Sequence, residues 1–321
     1  MQTFLESFCS TFYAVLQVFF VALAAAFLVR RRIISDEHIK AMSAITVRVL
    51  LPCLIFADII KQFHPAELRI WPILPLAAVA MVAAGLLAGM VLFARELPQK
   101  KDMLSLGSLQ NAGYLVLPVG SVLFPAQFED FKLYCFLYFL GISPLLWSLG
   151  KYLITSTSDN KDGLSLRGLI TPPFVANVLA VVFVFTHIRR FIPSVLLNSV
   201  ELIGSATVPV ATLVLGAVVG SVSFRIRPYF SDAVRVAVIK LIFVPVCTII
   251  VLYMTGLKAT YPLLASFFVI QAASAPATAA VIQVKHYGGD EQKIGVIVLY
   301  TYLLCTVTLP FWVALWDTIS L

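Results

Sequence analysis

Apolar runs too long for the interior of a water-soluble domain set the first constraint: residues 14–29 and 74–94 are near-continuous aliphatic and aromatic stretches. A helix that crosses the hydrocarbon of a bilayer needs about 20 such residues, and there every backbone polar group must find its partner inside the protein. A membrane β-barrel meets that demand with alternating strands of about 10 residues, a pattern these unbroken runs do not show. Composition agrees, with 60% hydrophobic and 12% charged residues among 321 and a mean hydropathy of +0.97. Soluble domains carry roughly 25% charge, so too few polar side chains remain here to cover a soluble fold. Disordered, collagen-like and disulfide-scaffold classes fall to the same figures. The fold class is an all-α polytopic membrane protein.

Ten transmembrane helices are expected, near 11–29, 41–60, 71–93, 103–123, 131–153, 168–187, 195–220, 233–255, 260–283 and 294–316. The first is read as an anchor and not a cleaved leader, because Glu6 precedes it and Arg30-Arg31-Arg32 follows it. Lysine and arginine accumulate in cytoplasmic loops. Of the 23 basic residues, fifteen fall on the side of Arg30–Arg32, six on the other, and Arg48 and Lys240 inside spans. Both termini are therefore expected outside the cytoplasm, in a cell (inner) membrane. On this reading the net charge of +7 reflects topology and not a nucleic-acid partner. Cys9, Cys53, Cys135, Cys247 and Cys305 form no CxxC pair and read as small packing residues.

The longest polar connection, residues 155–163, sits at mid-chain and suggests a repeat. Pro52 has a counterpart 157 residues on at Pro209, and Pro118 has one 158 residues on at Pro276. The expected division is 1–158 and 159–321, five helices each. An odd number of crossings per copy makes the second copy enter the membrane inverted, an architecture of transporters.

Pro118 and Pro276 lie inside apolar spans, where each removes a backbone N–H and frees a carbonyl four residues earlier, Tyr114 and Ala272. Small and polar residues surround them: Asn111-Ala112-Gly113-Tyr114 before Pro118, Gln271-Ala272-Ala273-Ser274-Ala275 before Pro276, and Thr278 after it. Small residues permit a close crossing, and the amides and hydroxyls can satisfy freed backbone or meet a ligand. Half-helix N-termini directed at such a crossing suit an anion. The candidate substrate-binding residues are Asn111, Gly113, Tyr114, Pro118, Gln271, Ser274, Pro276 and Thr278.

Three charged residues are candidate partners. Arg48 and Lys240 are basic groups within spans, where a charge costs at least about 2.5–3.5 kcal/mol. Arg48 is read either as a structural cation or as an attractor of anionic substrate, and Lys240 as offsetting substrate charge or bonding carbonyls freed at the crossing. Glu201 heads a polar stripe with Asn198, Ser205 and Thr212, and is read as an outer-interface residue or a proton site. Asp58, near an outer helix end, is expected to be solvated. Gly85 with Gly89, and Gly216 with Gly220, are small-xxx-small pairs suited to close helix packing.

Asn111-x-Gly113-Tyr114-x-x-x-Pro118, Ala275-Pro276-Ala277-Thr278-Ala279-Ala280 and Tyr287-Gly288-Gly289-Asp290 resemble the auxin efflux carrier family. The resemblance implies crossed, broken fourth and ninth helices with Asn111, Pro118 and Pro276 framing the substrate. It further implies a scaffold of helices 1, 2, 6 and 7 that often dimerises, and a moving transport domain of helices 3–5 and 8–10. Members move organic anions, auxin in plants and small carboxylates in bacteria. Tyr114, where plant carriers commonly have an amide, and the short central loop align the chain with the bacterial-type organic-anion permeases. The expected function is a secondary transporter of a small carboxylate by alternating access, with a proton or sodium as coupling ion. The alternatives are a sodium-coupled symporter of the bile acid type, a channel, or an intramembrane enzyme. No cofactor or metal is expected. The sequence has no Walker A or HExxH motif, its histidines (His38, His64, His187, His286) are dispersed, and Asp159 and Asp162 read as a solvated linker.

Overall fold

The structure, a computed structural model, describes residues 2–155, 170–222 and 225–319, and these are helical apart from connections and one isolated bridge. In chain order the helices are α1 (Gln2–Arg30), α2 (Asp36–Gln62), α3 (Ile73–Leu92), α4 (Lys101–Ser108), α5 (Val116–Leu123) and α6 (Pro125–Thr155). There follow α7 (Pro172–Phe185), α8 (Ser194–Gly220), α9 (Arg227–Thr255), α10 (Pro262–Ala273), α11 (Ala279–Tyr287) and α12 (Glu291–Thr318). Seven of them (α1, α2, α3, α6, α8, α9 and α12) are long and apolar enough to cross a bilayer singly, which makes this a polytopic integral membrane protein. Helix α7 has 14 residues, and α4–α5 and α10–α11 are interrupted pairs. The expected division at 158/159, with Asp159 and Asp162, lies outside the described residues.

Many side chains that no other helix covers are large and apolar, as with Phe20, Leu23 and Phe27 on α1, Leu87 and Val91 on α3, and Val251 and Met254 on α9. Such faces suit lipid tails. Where helices meet, glycines let backbones touch. A Cβ on Gly216 would stand 2.0 Å from the Ala22 carbonyl oxygen, and one on Gly85 would stand 2.7 Å from the Ser108 Cα. The two small-residue pairs thus seat α8 on α1 and α3 on α4, as their spacing predicts.

The interruptions correct one detail of the sequence reading. Between α4 and α5 the chain leaves the helix at Leu109 and resumes it at Val116, so Pro118 does not break it. Pro118 sits in the first turn of α5, where a missing N–H has no intrahelical partner to lose. Pro276, by contrast, lies in the non-helical stretch between α10 and α11. The two prolines share an offset in sequence without sharing a place in the fold.

Three helices carry wide, π-type turns: Thr46–Leu50 in α2, Leu146–Gly150 in α6 and Val238–Phe243 in α9. Each has a proline close by: Pro52, Pro144 and Pro245. Arg48 and Lys240, the two basic residues inside spans, both sit on such turns, which recur at functional sites.

The glycine contact gives a test of this packing. Gly216→Val drives a branched side chain into α1 backbone, an overpacking that costs about 1–3 kcal/mol or more. Its expected result is a lower unfolding temperature and a poorer size-exclusion profile in detergent than Leu87→Val, at an exposed position on α3 that no other helix covers.

Candidate functional site

The two broken helices cross where their extended stretches pair as a single antiparallel bridge, Gln110 opposite Pro276. The Asn111 N–H donates to the Ala275 carbonyl at 3.0 Å, and the Ala277 N–H donates to the Leu109 carbonyl at 3.0 Å. Facing residues in an antiparallel pair alternate between bonded and non-bonded positions. Gln110 and Pro276 occupy a non-bonded one, so the proline, which has no N–H, fits without forfeiting a bond.

Helix ends leave carbonyls unpaired, and α10 ends in the protein interior. Ala272 would ordinarily receive the N–H of residue 276, which is proline, and the N–H of Ala277 is used by Leu109. Side chains from two other helices take their places. The Lys240 ammonium of α9 donates to the Ala272 carbonyl at 3.5 Å, and the Cys305 thiol of α12 donates to the Ala273 carbonyl at 3.5 Å. Lys240 is fully buried, with no carboxylate partner among the described residues. Of its two expected roles, bonding a freed carbonyl is the one its contact displays.

Asn111 pins the crossing from the side. Its Oδ1 accepts from the Tyr114 N–H at 3.0 Å, and its Nδ2 donates to the Thr278 hydroxyl at 3.5 Å and to the Tyr302 hydroxyl. Three segments are tied through one amide. Gln271 reaches the Ala112 carbonyl with its Nε2 at 3.5 Å, and Ser274 donates to the Gln271 carbonyl at 2.8 Å.

A cavity of about 430 Å³ has this crossing as one wall. Its other walls come from α2 between Asp36 and Leu51, α6 between Phe139 and Trp147, the middle of α8, and α11. Asp36 and Lys40 at its mouth are exposed, so it opens on the side of the Arg30–Arg32 loop. Of the candidate residues, Asn111, Gly113, Tyr114, Thr278 and Arg48 line it; Pro118, Gln271, Ser274, Pro276, Lys240 and Glu201 do not. Arg48 has no ion-pair partner among the described residues. Glu201 lies elsewhere, 2.6 Å from the Lys61 ammonium, which also reaches Asn198.

The sequence reading missed Gln110, Gln283 and Tyr302. Both amide atoms of Gln110, the Gln283 Oε1 and the Tyr114 hydroxyl are buried in or beside the cavity wall without a hydrogen-bond partner among the described residues. The Gln283 Nε2 meets the Leu146 carbonyl at 2.8 Å, at the wide turn of α6. A lone amide in an otherwise apolar run was the available signal for Gln283. For Tyr302, 191 residues from Asn111, no local pattern exists.

An all-helical membrane protein whose central cavity ends on two broken, crossing helices has the build of a membrane transporter. A family model described as membrane transport protein matches residues 10–163 and 160–313. The chain belongs to this family, that of the auxin efflux carriers, and its members are transporters and not enzymes. Among relatives, the transporter MJ1031 of Methanocaldococcus jannaschii is 26% identical over 57% of this chain and 61% of its own length. Protein PIN-LIKES 3 and Protein PIN-LIKES 7 of Arabidopsis thaliana are 26% and 28% identical, over 52% and 51% of this chain and 44% of their own lengths. The matched region thus spans about three fifths of the archaeal relative and under half of the plant ones.

The Asn111 network predicts the effect of a single oxygen. Tyr302→Phe removes one of the two partners of the Asn111 Nδ2 in a buried site, where an unmade hydrogen bond costs about 1–3 kcal/mol. Thermal unfolding in detergent is expected to move down by a few degrees. An unchanged midpoint would mean that this bond does not support the crossing.

Proposed function

We propose that the protein is a secondary transporter for small organic anions of the carboxylate class, working by alternating access around the crossing. The observation that carries this reading is the cavity that ends on the crossing, with the unpaired Arg48 in its wall and Lys40 at its mouth. Lys40 is matched at the mouth by Asp36, so Arg48 leaves the approach net positive, which draws an anion in. At the closed end, the Gln110 Nε2 and the Tyr114 hydroxyl are donors with no partner of their own among the described residues. Donors of this kind suit a carboxylate.

The wider arrangement belongs to the same proposal. Ten crossings form two inverted five-helix repeats, 1–158 and 159–321, with α7 and the two interrupted pairs completing the seven continuous spans. Helices 1, 2, 6 and 7 are the scaffold of a homodimer, and helices 3–5 and 8–10 move with the substrate. Both termini lie outside the cytoplasm in a cell membrane, so the cavity faces the cytoplasm. A proton or a sodium ion is the candidate coupling ion. A sodium-coupled symporter of the bile acid type is the second reading, favoured by the broken-helix crossing alone.

Counterflow of radiolabelled malonate, malate, lactate and indole-acetate into proteoliposomes tests this. Saturable exchange is expected for at least one carboxylate, with a KM at least tenfold higher in Arg48→Gln and exchange abolished in Asn111→Ala. Imposed proton or sodium gradients identify the coupling ion. No exchange of any carboxylate by folded protein would overturn the anion reading.

A further inference from the structure

Asp58 departs from its expected solvation. It is 2% exposed and lies 3.1 Å from the ammonium of Lys132, itself mostly buried. The pair joins α2 to α6, two helices that run antiparallel. Toward the Arg30–Arg32 side both line the cavity, α2 contributing Ser43 and Leu51 and α6 contributing Phe139 and Trp147. At their other ends they are held together. Besides the ion pair, the Gln62 Nε2 of α2 donates to the Glu129 carboxylate of α6 at 3.3 Å.

Burying two charges is poor value for stability alone, since an apolar pair of similar volume often does as well. Such pairs are better suited to fixing one of two arrangements, because each charge can be satisfied in both. Lys132 has that provision: Glu129, on its own helix three residues earlier, lies 2.9 Å from its ammonium, and the Phe128 ring stands 5.3 Å away. If α6 moved off α2, Lys132 would keep a counter-charge while Asp58 turned to water.

We propose that Asp58 and Lys132 form a charge latch that closes the membrane face opposite the cavity mouth, and that their separation opens the cavity to that face. The proposal rests on the alternating-access reading above. Movement of substrate to the far face requires a seal there that can part, and α2 and α6 are the walls of the cavity that meet at this ion pair.

Access of a thiol reagent tests the latch without any substrate. Cys135 is native, fully buried, and one helical turn from Lys132; Ala44 lines the cavity. With Cys9, Cys53 and Cys247 replaced by alanine and Cys305 by serine, which keeps its hydrogen-bond donor, the full chain is labelled by a membrane-impermeant maleimide in right-side-out and inverted vesicles. The unmodified latch is expected to leave Cys135 unreactive and an Ala44→Cys variant reactive from the Arg30–Arg32 side only. Asp58→Asn should raise Cys135 labelling from the opposite side at least fivefold and slow Ala44→Cys labelling. Asp58→Glu, which keeps the charge, should stay within twofold of the unmodified protein, and Gln62→Ala, at a half-buried position, should shift both rates in the same direction as Asp58→Asn by less. Unchanged rates in Asp58→Asn and Gln62→Ala, or equal effects of Asn and Glu at position 58, would overturn the latch. Labelling of Ala44→Cys from both sides at once in the unmodified latch would instead contradict alternating access itself.

Discussion

Two backbone hydrogen bonds, Asn111 N–H to Ala275 and Ala277 N–H to Leu109, hold together the part of this protein that is hardest to build in a membrane. Non-helical backbone in hydrocarbon leaves N–H and C=O groups unpaired at several kcal/mol each, so it survives only where protein or a cavity supplies partners. The bridge supplies two, and the Gln110–Pro276 position places the proline where no bond is required. Everything around it completes the same accounting. Lys240 and Cys305 take the orphaned carbonyls of α10, and Asn111 joins the first broken helix to Thr278 and Tyr302. The cavity exists because helices interrupted in this way leave polar, small-sided backbone at the middle of the bundle.

The same accounting explains where charge is tolerated. A buried ammonium without a carboxylate is costly, yet Lys240 meets a carbonyl that proline chemistry would otherwise leave unpaired. Asp58 and Lys132 are buried as a pair at the far end of α2. Arg48, in contrast, faces the cavity with no partner among the described residues, which leaves its charge available to an anion. One basic residue meets a freed carbonyl and the other lines the cavity, although both look alike as isolated charges in apolar runs.

Helices and packing were legible because their signals are local. Each expected span has helical residues in the structure, and Gly85 and Gly216 sit against neighbouring backbone as their spacing implies. The breaks were found for a partly different reason than proline alone. Pro276 does lie in one, but the other spans Leu109 to Leu115 and Pro118 only starts the helix beyond it, so a shared sequence offset overstated the equivalence. Asp58 was misjudged because its burial depends on Lys132, 74 positions away, and Glu201 faces Lys61 by a similar long-range pairing. Gln110 and Tyr302 became visible only when remote segments were brought together.

On the proposed function, a carboxylate sits at the crossing beside Arg48 and Gln110. Locating a bromine-substituted carboxylate by anomalous scattering in crystals of the protein tests it most directly. A single bromine peak is expected inside the cavity, within contact distance of Asn111, Thr278 or Arg48. A peak elsewhere in the molecule, or none there at a concentration that saturates transport, would contradict it.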